Sequence, residues 1–178
     1  MTEQQERLVN EIRNTLNTFN ENVNKILEEM FSFESKTEKD WEMKCPYKNN
    51  DGCFILFDDG DTALSYWAGD LEDVSRFRMG NVFPTLEAAE LEAERRILLT
   101  RFNAFRDECN GDWKADWNDF TQKKYYVFYS ESKNDICVTY IVFDKRFHTF
   151  GYFKNGDDAY KAIELFGDKI KELFVECD

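Results

Sequence analysis

The chain has 178 residues, of which 36 are acidic and 23 are basic, so its formal net charge is −13 at neutral pH. Proteins that bind DNA or RNA normally present a basic surface, so this balance argues against direct nucleic-acid binding as the main function. The 17 Phe, 8 Tyr and 4 Trp residues argue against disorder, and the length fits one domain with an added arm.

Residues 2–31 are predicted to form one long helix, because apolar side chains recur at alternating spacings of four and three residues. This spacing is typical of a coiled-coil seam between polar helix faces. Two interpretations stay open: the seam forms a homodimer or docks onto another protein, or it covers an apolar stripe elsewhere in the same chain. The seam consists of Ile12, Leu16, Phe19, Val23, Ile26 and Met30.

Residues 1–50 are predicted to be an N-terminal helical arm with its linker, and residues 51–178 an α+β body. The body begins with two β-prone runs, CFILF and TALSYW, around an Asp- and Gly-containing turn, which indicates a hairpin. The turn lacks the spaced ligands and the closing glutamate of an EF-hand loop. From residue 58 to residue 73 the acids have no Lys or Arg between them, and they form a candidate partner-binding cluster: Asp58, Asp59, Asp61, Asp70, Glu72 and Asp73.

A third strand is predicted at residues 76–83, followed by a helix at residues 86–106 that Thr85 caps. This helix carries two apolar stripes, one of Leu86, Ala89, Ala93, Ile97 and Ala104, the other of Leu91, Leu98, Phe102 and Phe105. One stripe is enough to pack a helix on a sheet. The second stripe predicts that another element covers the helix from a different side.

Residues 110–119 follow this helix, and the pair Asn110-Gly111 predicts its end. Two Trp residues four apart alternate with Asp residues. Such Trp residues either stack on a base or a sugar ring, or close the edge of a core. The candidate partner-binding residues of this segment are Asp112, Trp113, Asp116 and Trp117.

Three further strands are predicted at residues 124–128, 136–143 and 146–153, and a second helix starts at Asn155, with Gly167 ending or kinking it. The two halves match at an offset of 70 residues, as Phe83 and Phe153 show. We therefore predict two βββα-like repeats, at about residues 52–110 and 122–178. Together they would form an antiparallel sheet packed by helices.

The sequence contains no cofactor, metal or catalytic motif that we can assign. Its five cysteines form no CxxC pair, and His148 is the only histidine. A metal-dependent nuclease is a minor alternative, which would need Asp116, Asp119 and the Glu131–Lys133 segment to converge. We therefore expect a protein without enzymatic activity. Because there is no signal peptide and no long apolar run, we expect it in the cytoplasm.

Three stretches together resemble the pattern GNxFxTxEEAE, WxxDW, KYY of a widespread group of small, mostly uncharacterised bacteriophage and prophage proteins. They are GNVFPTLEAAE at residues 80–90, WKADW at 113–117 and KYY at 124–126, followed by Tyr152-Phe153 and Ala159. The resemblance spans roughly residues 52–175, and the N-terminal helix lies outside it.

Small acidic phage proteins often resemble anti-CRISPR or other anti-defence inhibitors. The resemblance and the charge together imply a nucleic-acid mimic, without enzymatic activity, that acts in the bacterial host cell. Its partner would be a protein with a basic surface, in the first place a CRISPR effector of the Cas9 type. The alternative is a non-catalytic structural module that dimerises or docks through its N-terminal helix.

Overall fold

The computed structural model describes residues 3–31 and 41–177, with the side chains of residues 6–26 and 41–177. The chain divides into two compact units, Met1–Lys44 and Cys45–Asp178. The fold is α+β, as the sequence predicted, with an N-terminal helix, three further α-helices and two small antiparallel sheets among the described residues. In this part of the chain, no helix has the length and apolar character that crossing a membrane requires.

The first unit contains the helix α1, Glu3–Phe31. Its predicted seam is exposed: Ile12, Leu16, Phe19 and Ile26 are each 54–63% accessible, and only Val23 is half-buried. The sixth predicted seam residue, Met30, lies outside the residues whose side chains the structure describes. Residues 33–40 of the predicted linker also lie outside the described residues.

The second unit begins with a three-stranded sheet. Tyr47 belongs to this unit, since its ring stacks on Trp67 with 5.5 Å between centroids. In the strand order β2-β1-β3, β1 pairs antiparallel with both neighbours. The elements are β1 (Gly52–Leu56), β2 (Thr62–Tyr66), the helix α2 (Leu71–Arg78) and β3 (Val82–Phe83).

The predicted third strand at residues 76–83 is wrong for most of its length. Residues 71–78 are helical, because the Asp70 side chain caps a helix that begins at Leu71. Only two residues, Val82 and Phe83, form β3.

The helix α3, Leu86–Asn110, starts at the predicted cap: the Thr85 hydroxyl accepts a hydrogen bond from the Ala88 N–H at 3.2 Å. It ends at Gly111, which has a positive φ of 54°. Of the first predicted stripe, Ala89 and Ala93 are buried where the helix packs on the three-stranded sheet, whereas Leu86, Ile97 and Ala104 are exposed.

The second stripe of α3 faces the other half of the unit. Leu98 and Phe102 are buried in the main core, and Leu91 and Phe105 pack against it. The Phe102 ring lies 4.7 Å from Phe150 and 5.6 Å from Phe166 between centroids. The predicted cover from two sides is therefore confirmed for part of the helix only, since three residues of the first stripe are exposed. The residues that cover the second stripe belong to the C-terminal half of the chain. The sequence had left open that the N-terminal seam covers it.

The C-terminal half consists of a two-stranded sheet and a helix. These elements are β4 (Lys124–Ser130), β5 (Asp135–Ile141) and α4 (Gly156–Lys171), and a π-helical turn, Glu172–Glu176, follows α4. Residues 146–153 do not form the predicted strand. Only Phe153 pairs, as an isolated bridge with Tyr125.

The prediction that Gly167 ends or kinks α4 is also wrong. Gly167 is buried within the helix, where a Cβ atom would come within 2.9 Å of an Ile163 methyl group. This glycine therefore serves close packing.

The two halves of the second unit share an element order without forming the single sheet that was predicted. In each half an antiparallel hairpin precedes a segment that pairs with the hairpin's first strand and leads into a helix. Phe83 pairs with Phe54 in the first half, and Phe153 pairs with Tyr125 in the second. The two Phe residues are 70 positions apart in sequence, whereas their partners, Phe54 and Tyr125, are 71 positions apart. A duplication stays a prediction.

Candidate functional site

The turn between β1 and β2 carries three of the predicted acidic site residues. The Asp59 carboxylate accepts a hydrogen bond from the Asp61 N–H at 3.1 Å. The carboxylates of Asp58 and Asp61 accept no hydrogen bond from the described residues. All three residues are exposed. The turn is tight because the Phe57 N–H donates to the Asp61 carbonyl at 2.9 Å and Gly60 has φ of 93°. The tip thus presents carboxylates to solvent on a rigid support.

A hollow of about 370 Å³ separates this turn from α3. Asp58 and Asp59 line one side, and Arg96 and Ile97 line the other. The Arg96 guanidinium is held by its own neighbours, donating to the Asn81 side chain at 2.6 Å and to the Gly80 carbonyl at 2.9 Å. It pairs with Glu92 rather than with the turn. Among the described residues, the carboxylates of the turn therefore form no salt bridge.

The other three predicted acids surround the start of α2 and have different roles. The Asp70 side chain caps the helix, accepting from the N–H groups of Glu72 and Asp73 at 3.0 and 2.9 Å. Glu72 forms an ion pair with Arg76 one turn along the helix. Asp73 is only 6% exposed and accepts hydrogen bonds from the N–H groups of Ala68 and Gly69. Asp73 therefore stabilises the loop before α2 and is not available to a partner.

The acidic run is continuous in sequence but divided in space. The turn at residues 58–61 and the start of α2 lie at opposite ends of β2, which has five residues. A strand of that length spans about 17 Å, at roughly 3.4 Å per residue. The structure thus forms two acidic groups, one at each end of the hairpin.

Acidic and basic residues are distributed unevenly over the second unit. Residues 51–94, which we call the acidic lobe, carry 11 acidic residues and two basic ones, Arg76 and Arg78. Residues 95–178 carry 15 acidic and 14 basic residues and are nearly neutral. The lobe covers the three-stranded sheet, α2 and the first turns of α3, where Glu87 and Glu90 add exposed carboxylates. Arg96 lies just outside this range in sequence but borders the same region, through its hydrogen bonds to Asn81 and Gly80. The sequence run of acids indicated this asymmetry only in part.

In the second predicted group, at residues 112–117, the two Trp residues are half-buried and the two Asp residues are exposed. Trp117 is half-buried, with its ring 5.2 Å from the ammonium of Lys124 and 5.2 Å from the Tyr152 ring. Asp116 caps its own turn by accepting from the Asn118 N–H at 2.9 Å. Of the four predicted residues, only Asp112 is exposed without a hydrogen bond from its side chain in the described structure.

The sequence did not predict that Lys124 is buried and has a structural role. Its side chain is fully buried, and its ammonium donates to the backbone carbonyls of Asp119 and Val142 at 2.9 and 3.0 Å. It therefore fixes the loop after α3 to the end of β5. This contact and the cation–π contact with Trp117 connect the WKADW segment of this chain to the start of β4. A lysine at the start of a strand carried no sequence signal for burial.

His148 lies in an aromatic cluster rather than in a strand. Its ring stacks on Tyr126 with 3.9 Å between centroids and lies 5.3 Å from Tyr152. Its Nε2 atom is buried without a hydrogen-bond partner among the described residues. Burial, followed by the positive charge of Arg146, lowers the pKa of His148 below its ordinary value. An imidazole so enclosed has no hydrogen-bonded nucleophile to activate.

The residues considered for nuclease chemistry do not converge. Asp119 lies beside the first residue of β4, and its carboxylate accepts from the Thr121 hydroxyl at 2.6 Å, a bond that lowers the pKa of Asp119. Glu131 follows the last residue of β4, so the seven-residue strand, about 24 Å long, separates the two. Among the side chains of residues 6–26 and 41–177, no three His, Cys, Asp or Glu residues are grouped to hold a metal ion.

An open groove of about 830 Å³ lies beside the first turn of α4. Trp113, Tyr125 and Tyr160 line it, together with the charged side chains of Lys123, Lys154, Lys161, Asp157 and Asp158. The hydrogen bond from Asn155, and then that from Lys161, lowers the pKa of Asp158. Lys161 pairs with Asp158, and the three lysines and two aspartates of the groove nearly balance in charge, which gives it no strong preference for a ligand of either sign.

Fold and site together define an α+β protein with one acidic lobe and one nearly neutral half. Comparison with known proteins finds no matching family model, no matching curated protein and no matching solved structure.

Proposed function

We propose that this protein is an anti-defence inhibitor of a phage or another mobile element. In this proposal it binds a nucleic-acid-handling protein of the bacterial host, in the first place a CRISPR effector of the Cas9 type, through its acidic lobe. The supporting observation is the concentration of charge in residues 51–94, which hold 11 acidic and two basic residues. The resemblance to phage proteins directs the choice of partner.

The physical basis is electrostatic complementarity. A Cas9-type effector holds its guide–target duplex in a positively charged channel and recognises the backbone rather than the bases. A rigid surface with exposed, unpaired carboxylates competes for the same channel, and its charge increases the association rate. Asp58 and Asp61 at the hairpin tip meet this description, as do Glu87 and Glu90 on α3, whereas Asp73 does not because it is buried. No enzymatic step is part of the proposal, and the site of action is the host cytoplasm.

The test is a binding experiment with the purified chain and a panel of CRISPR effectors loaded with guide RNA. We expect one effector to be retained by the immobilised chain at low salt and to lose its target DNA when the chain is added. Raising the ionic strength should weaken the complex steeply, because the contacts are screened charges. If no effector binds at low salt, or if a bound effector still binds its target DNA, the proposed function is wrong.

A second candidate function is that of a non-catalytic interaction module that assembles through its N-terminal helix. The observation that favours it is the exposure of the α1 seam, in which Leu16 and Phe19 are 57% and 63% accessible. Deleting residues 1–31 tests it: loss of assembly with an unchanged α+β fold is expected. An assembly that survives the deletion contradicts this candidate.

A further inference from the structure

The α1 helix has an apolar face without a cover in the described part of its own unit. The helix is 29 residues long, and at 1.5 Å per residue it spans about 43 Å. Most helical stability in proteins comes from burying an amphipathic face. The exposure of Val9, Ile12, Leu16, Phe19 and Ile26 therefore indicates that α1 has a partner for this face.

We propose that the α1 seam binds the α1 seam of a second copy of this chain, in an antiparallel two-helix coiled coil. The argument begins with the spacing. From Val9 onward, apolar residues alternate at intervals of three and four, which places them at the a and d positions of successive heptads. A seam with this 3.5-residue period stays in register only with a partner of the same period, and a second copy supplies it.

The side-chain sizes favour the antiparallel arrangement. In an antiparallel pair centred between Leu16 and Phe19, Leu16 faces Phe19 of the other helix, Ile12 faces Val23 and Val9 faces Ile26. Each layer then combines an a residue with a d residue, and the layers have similar volumes. A parallel pair places Phe19 on Phe19 and Val23 on Val23, which gives overfilled and underfilled layers.

The residues that flank the seam are compatible with this arrangement. Antiparallel packing places Arg13 next to Asn20 and Thr15 next to Asn22 of the other helix, so no like charges face each other. Antiparallel helix dipoles also attract, and parallel ones repel. The rest of each chain follows the Phe31 end of α1. In an antiparallel pair these two negatively charged parts therefore begin at opposite ends of the coiled coil.

This inference does not involve the acidic lobe; it rests on the second candidate function, assembly through α1, and specifies the partner and its orientation. A dimer without effector binding, or effector binding by a monomer, would separate it from the first proposed function.

The first test measures the molar mass of the full chain by light scattering during size-exclusion chromatography. We expect twice the 21.2 kDa of one chain, and the Leu16→Glu variant should elute as a 21.2 kDa monomer. Asn17→Glu is the matched control, since it adds the same charge at the neighbouring exposed position, and it should stay dimeric. A monomeric wild type, or equal behaviour of the two variants, overturns the proposal. A trimer or tetramer overturns the two-helix form.

The near-UV circular dichroism spectrum shows whether a substitution in the seam changes the fold of the rest of the chain. It should be the same in both variants, because the aromatic core lies in the Cys45–Asp178 unit. If Leu16→Glu changes that spectrum, the seam supports the fold of its own chain, and the proposal is overturned.

The second test determines orientation by distance measurements between spin labels on the two copies. Single cysteines replace Asn10 or Asn17 in a chain whose Cys45, Cys109, Cys137 and Cys177 are changed to serine, while the buried Cys53 is kept. In the antiparallel pair the two labels at residue 17 lie at the same height. The two labels at residue 10 lie about 22 Å apart along the axis, at 1.5 Å per residue. Short distances at both positions indicate a parallel pair and overturn the antiparallel assignment.

Discussion

The hairpin β1–β2 and the hairpin β4–β5 are each followed by a segment that pairs with the hairpin's first strand and by a helix. The main core lies with the second hairpin: Phe102, Phe153, Phe166 and Ile170 are among its buried residues. The first hairpin buries less and carries the acidic lobe. The element order is therefore the same in both halves, while one half contributes most of the packing and the other most of the charge.

The contrast between the two halves predicts which substitutions affect stability and which affect binding. In the second half, nearly equal numbers of acidic and basic residues cover a large apolar core. In the acidic lobe, like charges on a small sheet repel one another, and this repulsion destabilises the free protein unless a partner compensates for it. We therefore expect stability and partner binding to depend on different residues.

The largest effect is expected from the core of the second half. Phe102 is fully buried against Phe150, Phe153 and Phe166, so Phe102→Ala should lower the free energy of unfolding by about 3–5 kcal/mol. Phe147→Ala is the control, because Phe147 is 94% exposed and its loss should cost under about 0.5 kcal/mol. Urea unfolding measures both. Equal losses would mean that the core is not where the structure places it.

A smaller effect is expected at the buried lysine. Lys124→Met keeps the side-chain length but leaves the carbonyls of Asp119 and Val142 without their donor, which should cost about 1–3 kcal/mol. Lys123→Met is the control, since Lys123 is exposed and lies over the Tyr140 ring. Chemical denaturation compares the two variants. If Lys124→Met proves as stable as its control, the lysine does not fix the loop at residues 116–122.

Within the acidic lobe, the structure separates a structural acid from free ones. Asp73→Asn weakens the charge-assisted hydrogen bonds from Ala68 and Gly69 and should lower the free energy of unfolding by about 1–2 kcal/mol. Asp58→Asn, on an exposed carboxylate, should leave stability unchanged or raise it slightly. Thermal unfolding at neutral pH measures both. A stable Asp73→Asn variant would return Asp73 to the set of candidate binding residues.

The smallest effect concerns pH. Burial lowers the pKa of His148 in the folded chain, so between the folded and unfolded pKa values the unfolded chain binds more protons. The contribution of neutral His148 is complete above about pH 6.5, the ordinary value, and is lost as the pH falls through the folded pKa. We expect wild type to lose more stability than His148→Gln between about pH 7.5 and pH 5.5. Identical losses would show that the imidazole is not buried in its neutral form.

The sequence predicted the elements whose signals are local. The apolar period of α1, the Thr85 cap and the strands at residues 53–57 and 124–128 were all read correctly from a few neighbouring residues. The strand predicted at 76–83 failed because Asp70 was counted as one acid in a run, although its spacing to Asp73 is also that of a helix cap.

Other features depend on contacts that are distant in sequence. Residues 146–153 alternate like a strand, but Arg106 of α3 donates to the Phe150 carbonyl at 3.0 Å and Gly151 adopts φ of 67°. Lys124 is buried partly through its hydrogen bond to the Val142 carbonyl, 18 residues further along the chain. The division of the acidic run into two groups follows from the length of β2, since residues close in sequence are carried apart by an extended strand.

Binding through the acidic lobe is tested by comparing two triple variants with equal changes in charge. One removes exposed carboxylates of the acidic lobe, Asp58→Asn, Asp61→Asn and Glu90→Gln, and the other removes Glu108→Gln, Glu131→Gln and Glu164→Gln outside it. The measurement is the dissociation constant for the retained effector at low salt. At about 0.5 kcal/mol per exposed charge, the first triple should weaken binding about tenfold, and the second should leave it within about twofold. Equal weakening by both variants would contradict binding through the acidic lobe.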